Sequence, residues 1–436
     1  MHSPDDDRVY VFLDTMPQRH GSGASLRFYS NVQAYLDLGF SIEAIQVATT
    51  PDGSEPSPDL TPIHWTRVIE PARRAPLSGR MFFRAGVPAA SALEYCFPQR
   101  RLVEREVEVR RRRAPGAIYH FEGEWLSTVI PALPRSMRSI WSLHDLPSKV
   151  TSATIRIACD AQKRGPTRPE RRELRFMQRM ERHLARHSPL ILGIAAHDCE
   201  RLRREWGCKQ TEYLPTSIPG DGAERRDGSW LTGGNLRLLH LGRVSHLPSY
   251  RSLEFLFDQV FPRLAPEILQ SISTAVVGRV DADDDRARRI LQLAAPYPNV
   301  RFHGFVADVV PFYQNSDLQV VASTEASGLR TRTIESFAFG LPVLSTSVGA
   351  EGIADLRAGE HLLIADDPQT FAAALTQLTR SAHTLARLSR NGREFYQTHQ
   401  SRRVVASTLA RCLTQYFGIL PPAMRAAASP QRLGGV

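Results

Sequence analysis

Two arginines and a glutamate lie close together in the last third of the chain. They belong to the stretch GLRTRTIESFAFGLPVLSTSVGAEGI, residues 328–353, in which Arg330 and Arg332 precede Glu335. The small and apolar residues after them predict a buried helix, and the first turn of a helix already carries positive partial charge from its unpaired N–H groups. Arginines at that point are unfavourable unless an anion lies in front of them, so the stretch predicts an anion-binding site. A salt-bridge cluster at the surface is the alternative interpretation.

The loop before this helix has the features of a turn that holds phosphate groups. The strand DLQVVAS ends at Ser323, and Gly328 then permits a ligand to approach the backbone closely. The N–H groups of such a loop and of a helix N-terminus bind phosphates, and a diphosphate is the expected ligand. We expect the arginines to neutralise its charge and the glutamate to accept hydrogen bonds from sugar hydroxyls. The residues predicted to contact the ligand here are Ser327, Gly328, Leu329, Arg330, Arg332 and Glu335.

Two histidines beside carboxylates form a second candidate set. The segments YHFEGEW and SIWSLHDL read as inner strands that end in His120 with Glu122 and in His144 with Asp145. A single histidine at a strand end is most often a loop residue that makes a hydrogen bond. Two at equivalent strand ends are better candidates, since both can face a ligand, and we take His120, Glu122 and His144 as candidate catalytic residues.

The elements around these residues alternate between strands and helices. The first half gives the strands VYVFLD and SIEAIQVAT around the helix SLRFYSNVQAYLDLG, whereas 51–76 and 80–98 read as loops or short helices. After the Gly/Asp-rich linker 220–235 the pattern restarts with LRLLHLGRV. Such alternation predicts an α/β fold with parallel sheets, here two doubly wound, Rossmann-like domains that face a central cleft. The predicted divisions are 1–222, 223–420 and a disordered tail, 421–436.

Length and composition agree with two globular domains. The chain has 436 residues, and no apolar run approaches the roughly 18 residues that a membrane span needs. Its acidic beginning, MHSPDDDRVYVFLD, predicts a first strand rather than a signal peptide. The five cysteines are scattered without zinc-site spacing, which favours a reduced cytoplasm and no structural metal.

The net charge of +10 comes almost wholly from arginine. Nucleic acid, an anionic membrane surface and a phosphorylated small ligand are the three partners that such a charge could serve. No stretch resembles a nucleic-acid-binding module. The arginine runs at 110–113 and 168–187 read as solvated helix faces, so we expect no nucleic-acid partner.

The stretch 328–353 resembles the C-terminal signature of glycosyltransferase family 4, the retaining enzymes of the GT-B fold. The family pattern EAMAxGxPVVxTxxGxEG appears here as ESFAFGLPVLSTSVGAEG. HLGRV, with Arg243, resembles the strand end that binds phosphate. PQRHGSGASLRF, with Gly21 and Gly23, resembles the glycine loop under the donor diphosphate. The resemblance places His144 near the donor sugar and Glu122 near the acceptor side.

Two positions depart from the family pattern. Most members carry a lysine five residues after the arginine of the GR strand end, where this chain has Pro248. The first of the family's two glutamates, eight residues before Glu335, is replaced by Ser327. Arg332 is expected to take the place of the missing lysine.

The resemblance implies a hexosyltransferase-type enzyme that moves a sugar from a nucleoside diphosphate sugar to an unidentified acceptor, such as a polysaccharide, lipid-linked or secondary-metabolite intermediate. It implies no cofactor and no metal, and the acidic run DADDD at 281–285 reads as a solvated loop or helix start. We expect a cytoplasmic protein, with peripheral contact at the inner membrane surface left open and no expectation for the oligomeric state. A nucleotide-sugar epimerase of the same fold and a non-catalytic sugar-nucleotide-binding protein are the alternatives.

Overall fold

The structure, a computed structural model, describes residues 4–18, 23–48, 55–69, 100–219, 229–324 and 328–428. The chain divides into two compact units. The first comprises Met1–Ser217 together with Arg402–Val436, and the second comprises Ile218–Ser401. Among the described residues, no helix combines the length and apolarity needed to cross a membrane.

A seven-stranded parallel sheet forms the centre of the first unit. Its spatial order is β3-β2-β1-β4-β5-β6-β7, a doubly wound arrangement with one strand added at the end. Alternation along β1 explains its burial on both faces, since Val9 and Val11 enter one apolar layer and Tyr10 and Phe12 the other. The strands are β1 (Arg8–Leu13), β2 (Ser41–Ala48), β3 (His64–Ile69), β4 (Ile118–Glu122), β5 (Arg138–Leu143), β6 (Leu190–Gly193) and β7 (Thr211–Tyr213).

Helices cover both faces of this sheet. The first follows β1 and ends at Asp37; Gly39, two residues further on, has a φ of +81°, which suits a glycine just beyond a helix C-terminus. The helices are α1 (Gly23–Asp37), α2 (Arg100–Arg113), α3 (Gly123–Ser127), α4 (Pro147–Ala161), α5 (Arg168–His187), α6 (Ala196–Trp206), α14 (Arg402–Phe417) and α15 (Pro422–Ala428), with 3₁₀ turns at Pro4–Asp7, Pro58–Leu60 and Ile130–Ala132.

Strand β3 corrects the prediction of loops or short helices over 51–76. Residues His64–Ile69 pair in parallel with β2 over the register from Glu43 to Ala48. This strand lies at the edge of the sheet and is only partly buried, so its sequence HWTRVI lacks the continuous apolar run of the inner strands. The predicted segment 80–98 lies outside the described residues.

The C-terminal helices also differ from the prediction, which assigned 223–420 to the second domain and 421–436 to a disordered tail. Helix α14 buries Leu409 and Leu413 in the same apolar layer as Val32 of α1, within the first unit. Helix α15 lies where the tail was predicted, and its Ala423 N–H donates to Leu38 O at 3.0 Å. Hydrophobic periodicity predicts that α14 has an apolar face, but not which sheet that face covers.

The second unit contains a six-stranded parallel sheet. Its order, β10-β9-β8-β11-β12-β13, is that of a dinucleotide-binding doubly wound fold. The strands are β8 (Leu236–Leu241), β9 (Ile272–Val277), β10 (Val300–Gly304), β11 (Leu318–Val321), β12 (Val343–Ser345) and β13 (Leu363–Ile364). The helices are α7 (Leu247–Glu254), α8 (Pro266–Gln270), α9 (Asp285–Ala294), α10 (Val310–Asn315), α11 (Thr331–Ala338), α12 (Pro368–Leu378) and α13 (Ala382–His399). A π-helical segment covers Phe255–Val260, and 3₁₀ turns cover Thr232–Gly234, Phe261–Arg263 and Val348–Ala350.

The strand order of each unit reverses at its first strand, between β1 and β4 and between β8 and β11. In open doubly wound sheets, ligands bind outside the carboxyl ends of the strands at this switch point. The topology therefore directs attention to the residues that follow these strand ends in each unit.

Candidate functional site

Two glycines let adjacent strand ends of the second unit touch through their backbones. Gly242 follows β8 with a φ of +138°, and Gly278 follows β9 with a φ of +144°. A Cβ atom added to Gly278 would lie 2.2 Å from the carbonyl oxygen of Gly242. Both positions therefore require glycine, for the backbone angle and for the space.

Arg332 occupies the space beside Gly242. A Cβ atom at Gly242 would lie 1.9 Å from Nη2 of Arg332, and this nitrogen donates to Oγ of the buried Ser249 at 3.0 Å. Burial lowers the pKa of Arg332, while the charges of Glu335 and Tyr313 raise it. The guanidinium, which stays charged in proteins, is thus held at the end of β8 beside the first turn of α11.

Arg330 lies at the start of the same helix. It is the N-cap residue of α11, and its Nε donates to Oγ of Ser323, just after β11, at 3.2 Å. Gly328 in the preceding loop has a φ of +68°, a conformation that favours glycine. Both arginines therefore lie beside strand ends, Arg332 next to Gly242 and Arg330 next to Ser323, where the sequence predicts an anion.

The charge of Arg243 is paired with a carboxylate of the same unit. Its Nε donates to Asp281 Oδ2 at 2.7 Å and to Ser245 Oγ at 3.0 Å. Hydrogen bonds from Ser245 and Arg243 lower the pKa of Asp281. An anion would have to compete with this carboxylate for Arg243, so we expect it to contribute less than Arg332.

The positive charge of this region acts on His246. Desolvation lowers the pKa of His246, and the charges of Arg332, Arg330, Arg243 and Arg286 lower it further, in that order. His246 is the N-cap residue of α7 and lies in the segment SHLPSYRSL. Four guanidinium groups thus act on one imidazole. Since they favour the neutral form of His246, the positive charge of this region comes from the arginines.

Glu335 faces a buried tyrosine. Tyr313 Oη donates to Glu335 Oε2 at 2.5 Å, and Tyr313 has no exposed surface. The glutamate itself is half-buried. One of its two oxygens therefore already accepts a hydrogen bond within the protein.

The acidic run 281–285 serves local structure. Asp284 caps α9 by accepting from the N–H groups of Arg286 and Ala287 at 2.8 and 3.2 Å. Asp281 pairs with Arg243 as described. The interpretation of this run as a helix start is confirmed. Within the described residues, no three His, Cys, Asp or Glu side chains gather as they would around a metal ion.

In the first unit, Glu122 joins the candidate histidines. Its Oε2 lies 3.1 Å from Nε2 of His144, and its Oε1 lies 3.3 Å from Nε2 of His120 and accepts from Asn31 Nδ2 at 2.7 Å. The opposite nitrogen of His120, Nδ1, hydrogen-bonds to Tyr35 Oη at 2.9 Å. The three residues named from the sequence are therefore one connected network.

Burial separates the roles that these residues can play. Burial would raise the pKa of Glu122, but the charges and hydrogen bonds of His120 and His144 hold it well below its usual value. His120 and Glu122 are at most 1% exposed, whereas the His144 side chain is 14% exposed and its ring packs on Phe28. In this structure only His144 of the three presents surface to a ligand.

A further carboxyl group lies at the same strand ends. Desolvation by the surrounding protein raises the pKa of Glu124 to about 7, with the charge of His144 lowering it and those of Asp145 and Asp14 raising it. Glu124 lies at the start of α3, directly after β4. The sequence could have indicated Glu124, because it lies two residues after Glu122 at a strand end. The desolvation that raises its pKa depends on the fold and cannot be read from the sequence.

Residues 235–381 match the family model described as glycosyl transferases group 1. Sucrose-phosphate synthase from Thermosynechococcus elongatus superposes with a TM-score of 0.68 at 17% identity over 94% of this chain and 99% of its own. Anabaena Alr3699/HepE in complex with UDP and glucose superposes with a TM-score of 0.61 at 14% identity over 93% and 99% of the chains.

The fold is GT-B. A third solved structure with this fold, WaaG, a glycosyltransferase involved in lipopolysaccharide biosynthesis, superposes with a TM-score of 0.58 at 14% identity and covers 94% of this chain and 100% of its own. No curated protein matches the chain in sequence.

The predicted site residues divide between the two units of this GT-B chain. Arg243, Gly328, Leu329, Arg330, Arg332 and Glu335 lie in the second unit, and His120, Glu122, His144 and Gly23 lie in the first. Gly23 is the exposed first residue of α1. Gly21 and Ser327 lie outside the described residues.

Ser249, His246 and Tyr313 were not predicted as site residues. Ser249 and His246 belong to SHLPSYRSL, the segment in which Pro248 replaces the family lysine. No local pattern marks Tyr313, since its partner Glu335 lies 22 residues away.

Proposed function

We propose that this chain is a retaining glycosyltransferase of the family 4 type, which transfers a sugar from a nucleoside diphosphate sugar to an acceptor. The observation that carries the proposal is the guanidinium of Arg332, held between Gly242 and Ser249 at the end of β8. The family match over 235–381 supports it, because that range contains all of these residues.

The arginines meet the main physical demand of this reaction. As the glycosidic bond breaks, the departing diphosphate gains negative charge, and preorganised positive groups that face it lower the barrier. Arg332 and Arg330 supply full charges, and the first N–H groups of α11 supply partial ones. Arg243 contributes only as far as the phosphate replaces Asp281 as the partner of its guanidinium. On this proposal neither a metal nor a cofactor is required.

Glu335 is proposed to hold the ribose of the nucleotide. A carboxylate accepts hydrogen bonds from hydroxyl groups, and its distance of one helical turn from the arginines suits a sugar attached to the diphosphate. UDP is the first nucleotide to test, because the HepE structure contains UDP and glucose. The base and the sugar used by this chain are open to experiment.

In the first unit, His144 is proposed to contact the transferred sugar, with Glu122 and His120 holding its ring in place. Glu122 bonds to the Nε2 of His144, which fixes the orientation of the imidazole. The acceptor is proposed to be a polysaccharide, lipid-linked or secondary-metabolite intermediate. A cytoplasmic location, with peripheral contact at the inner membrane surface, fits such acceptors.

The experiment is a donor-turnover assay with purified protein. UDP-glucose, UDP-galactose, UDP-N-acetylglucosamine and GDP-mannose are incubated separately, and released nucleoside diphosphate is measured. Without an acceptor, slow hydrolysis of the donor releases free sugar, and proton NMR identifies the anomer that is formed before mutarotation. We expect release from at least one donor with retention of configuration. Inversion would remove the retaining assignment, and absence of both turnover and diphosphate binding would overturn the proposal.

Variants connect the result to the site. Arg332→Ala should abolish most of the turnover. Arg357→Ala is the matched control, since Arg357 lies in the same unit, is largely exposed and pairs with Glu360 three residues away. Equal activities of the two variants would contradict the assignment of Arg332.

A further inference from the structure

Tyr313 and Glu335 form a buried pair whose geometry is set from both ends. Tyr313 lies on the short helix α10, and its hydroxyl reaches Oε2 of Glu335 on α11 at 2.5 Å. The ring of Tyr313 stacks on Phe339, with centroids 4.7 Å apart and an interplanar angle of 21°. Phe339 is itself buried and follows α11 directly. The hydroxyl therefore points at the carboxylate, and packing against Phe339 restricts the orientation of the tyrosine ring.

Tyr313 is the donor and Glu335 the acceptor in this hydrogen bond. Burial raises the pKa of Tyr313 well above its ordinary value, and the charge of Glu335 together with the hydrogen bond raises it further. Tyr313 is therefore protonated at neutral pH, and its hydroxyl donates to Glu335. Glu335 accepts through Oε2, which leaves Oε1 to face other groups.

We propose that Tyr313 is a positioning residue that orients the carboxylate of Glu335 toward the ribose hydroxyls of the donor nucleotide. This inference rests on the proposed function, because it assumes that Glu335 holds the ribose. A half-buried glutamate on a helix has several rotamers, and fixing one of them before binding removes an entropy cost from the complex. Tyr313 would act only through Glu335 and would not touch the ligand.

A purely structural role would also account for the tyrosine. A fully buried phenol needs a partner for its hydroxyl, and Glu335 supplies one whether or not a ligand binds. The two roles differ in how a change at Tyr313 affects the affinity for a ligand that lacks ribose hydroxyls. A positioning role couples Tyr313 to those hydroxyls, whereas a structural role does not.

The test compares Tyr313→Phe with wild type in calorimetric titrations of UDP and 2′,3′-dideoxy-UDP. Phenylalanine keeps the stack on Phe339 and removes only the hydroxyl. We expect UDP to bind about tenfold more weakly, a loss of about 1.4 kcal/mol, and dideoxy-UDP to bind as it does to wild type. Equal losses for the two ligands, or no loss for UDP, would overturn the positioning role.

Two further variants sharpen the comparison. Tyr250→Phe is the matched control, since Tyr250 Oη donates to Glu254 Oε1 at 2.7 Å in the same unit, and both ligands should bind it as they bind wild type. Adding Tyr313→Phe to Glu335→Gln should produce little further loss of UDP affinity, because both changes disturb one interaction. Full additivity would contradict the coupling.

Failure of the proposed function gives a different result. Wild type is titrated with UDP, GDP, ADP and CDP, and the tightest of these, with its dideoxy analogue, is used for the variants. If wild type binds none of them, the proposed function and this inference both fall. If wild type binds one and Tyr313→Phe binds it equally well, only the inference falls.

Discussion

The guanidinium of Arg332 lies where the side chain of any residue larger than glycine at 242 would lie. A Cβ atom at Gly242 would come within 1.9 Å of Nη2 and 2.6 Å of Cζ of Arg332. Glycine just after β8 thus leaves room for the guanidinium of a residue of α11, 90 residues further along the chain. The relationship can be tested by changing the glycine instead of the arginine.

Gly242→Ala should displace Arg332 and weaken binding of nucleoside diphosphate by at least about tenfold. Gly304→Ala is the control, because Gly304 also has a positive φ, +69°, but no atom of the described residues lies within 4 Å of a Cβ added there. Both variants strain the backbone, and only Gly242→Ala moves the arginine. Calorimetry with UDP checks the affinities and thermal unfolding checks that both variants fold. Similar affinity losses in the two variants would show that backbone strain, not Arg332, is responsible.

Arg332→Ala should cost about 1.5–3 kcal/mol of nucleoside diphosphate binding, since it removes a charge-assisted contact to phosphate. Arg332→Lys should recover part of this loss because the point charge remains. Arg243→Ala should cost less than Arg332→Ala, because Arg243 is paired with Asp281 before any ligand binds. Titrations of the three variants rank these contributions, and unchanged binding in Arg332→Ala would refute this placement of the phosphates.

Glu335→Gln should weaken nucleoside diphosphate binding by at least about tenfold, or 1.4 kcal/mol, with little change in the melting temperature of the ligand-free protein. The amide oxygen can still accept from Tyr313, so the fold keeps that contact. The charge that strengthens hydrogen bonds from ribose hydroxyls is lost. The reverse result, a lower melting temperature with intact affinity, would assign Glu335 to structure alone.

Glu181 should make the first unit less stable as the pH rises from about 4.5 to 7. Burial raises its pKa to about 7, although Ser148 donates to it, so the folded protein holds a proton that the unfolded chain has released. The neutral carboxyl of Glu181 therefore contributes its full stabilisation at a pH below its pKa in the unfolded chain. This contribution is lost as the pH rises toward its pKa in the folded protein. The shift corresponds to a loss on the order of 3 kcal/mol. Glu181→Gln should therefore unfold at an increasingly higher temperature than wild type from pH 5 to pH 8.

The control for Glu181 is Glu170→Gln on the same helix. Arg164 and Thr167 lower the pKa of Glu170 to about 2, so this group is ionised in both the folded and unfolded chains above pH 5. Its substitution should shift the melting temperature by the same amount at every pH in that range. Parallel curves for wild type and Glu181→Gln would show that Glu181 does not titrate in this way.

Donor turnover should survive EDTA, because arginines and a helix N-terminus are proposed to stabilise the diphosphate. The assay is run with the purified protein in chelator and then with added manganese. Loss of turnover in EDTA that manganese restores would contradict metal independence. It would also make the acidic run at 281–285 the first place to look for metal ligands.

Much of the fold was predictable because parallel strands are buried on both faces and appear as short, continuous apolar runs. VYVFL, LRLLHL and LQVV all became inner strands, and GT-B was expected from the motif at 335–352. The start of α11 at Thr331 was also predictable, because the small and apolar residues after the arginines predict a buried helix there. That an anion binds in front of these arginines stays a prediction. Edge strand β3 lacked the apolar signal.

The burial of the histidine network could not be read from the sequence. His120 and Glu122 are two residues apart on β4, so the pattern places them on the same face of the sheet. It does not reveal that Asn31 and Tyr35 of α1 cover that face and bond to both of them. The pairing of Tyr313 with Glu335 depends in the same way on how α10 packs against α11.

The return of α14 to the first unit has a consequence for the order in which the protein can fold. The ribosome completes the second unit, Ile218–Ser401, before it makes the helix that seals the first. Until then Val32 and the apolar layer around it lack Leu409 and Leu413. The first unit, though synthesised first, is therefore the last to close. Shortening the chain from its C-terminal end should accordingly damage the N-terminal domain, while the uninterrupted piece 218–401 is the one suited to production by itself.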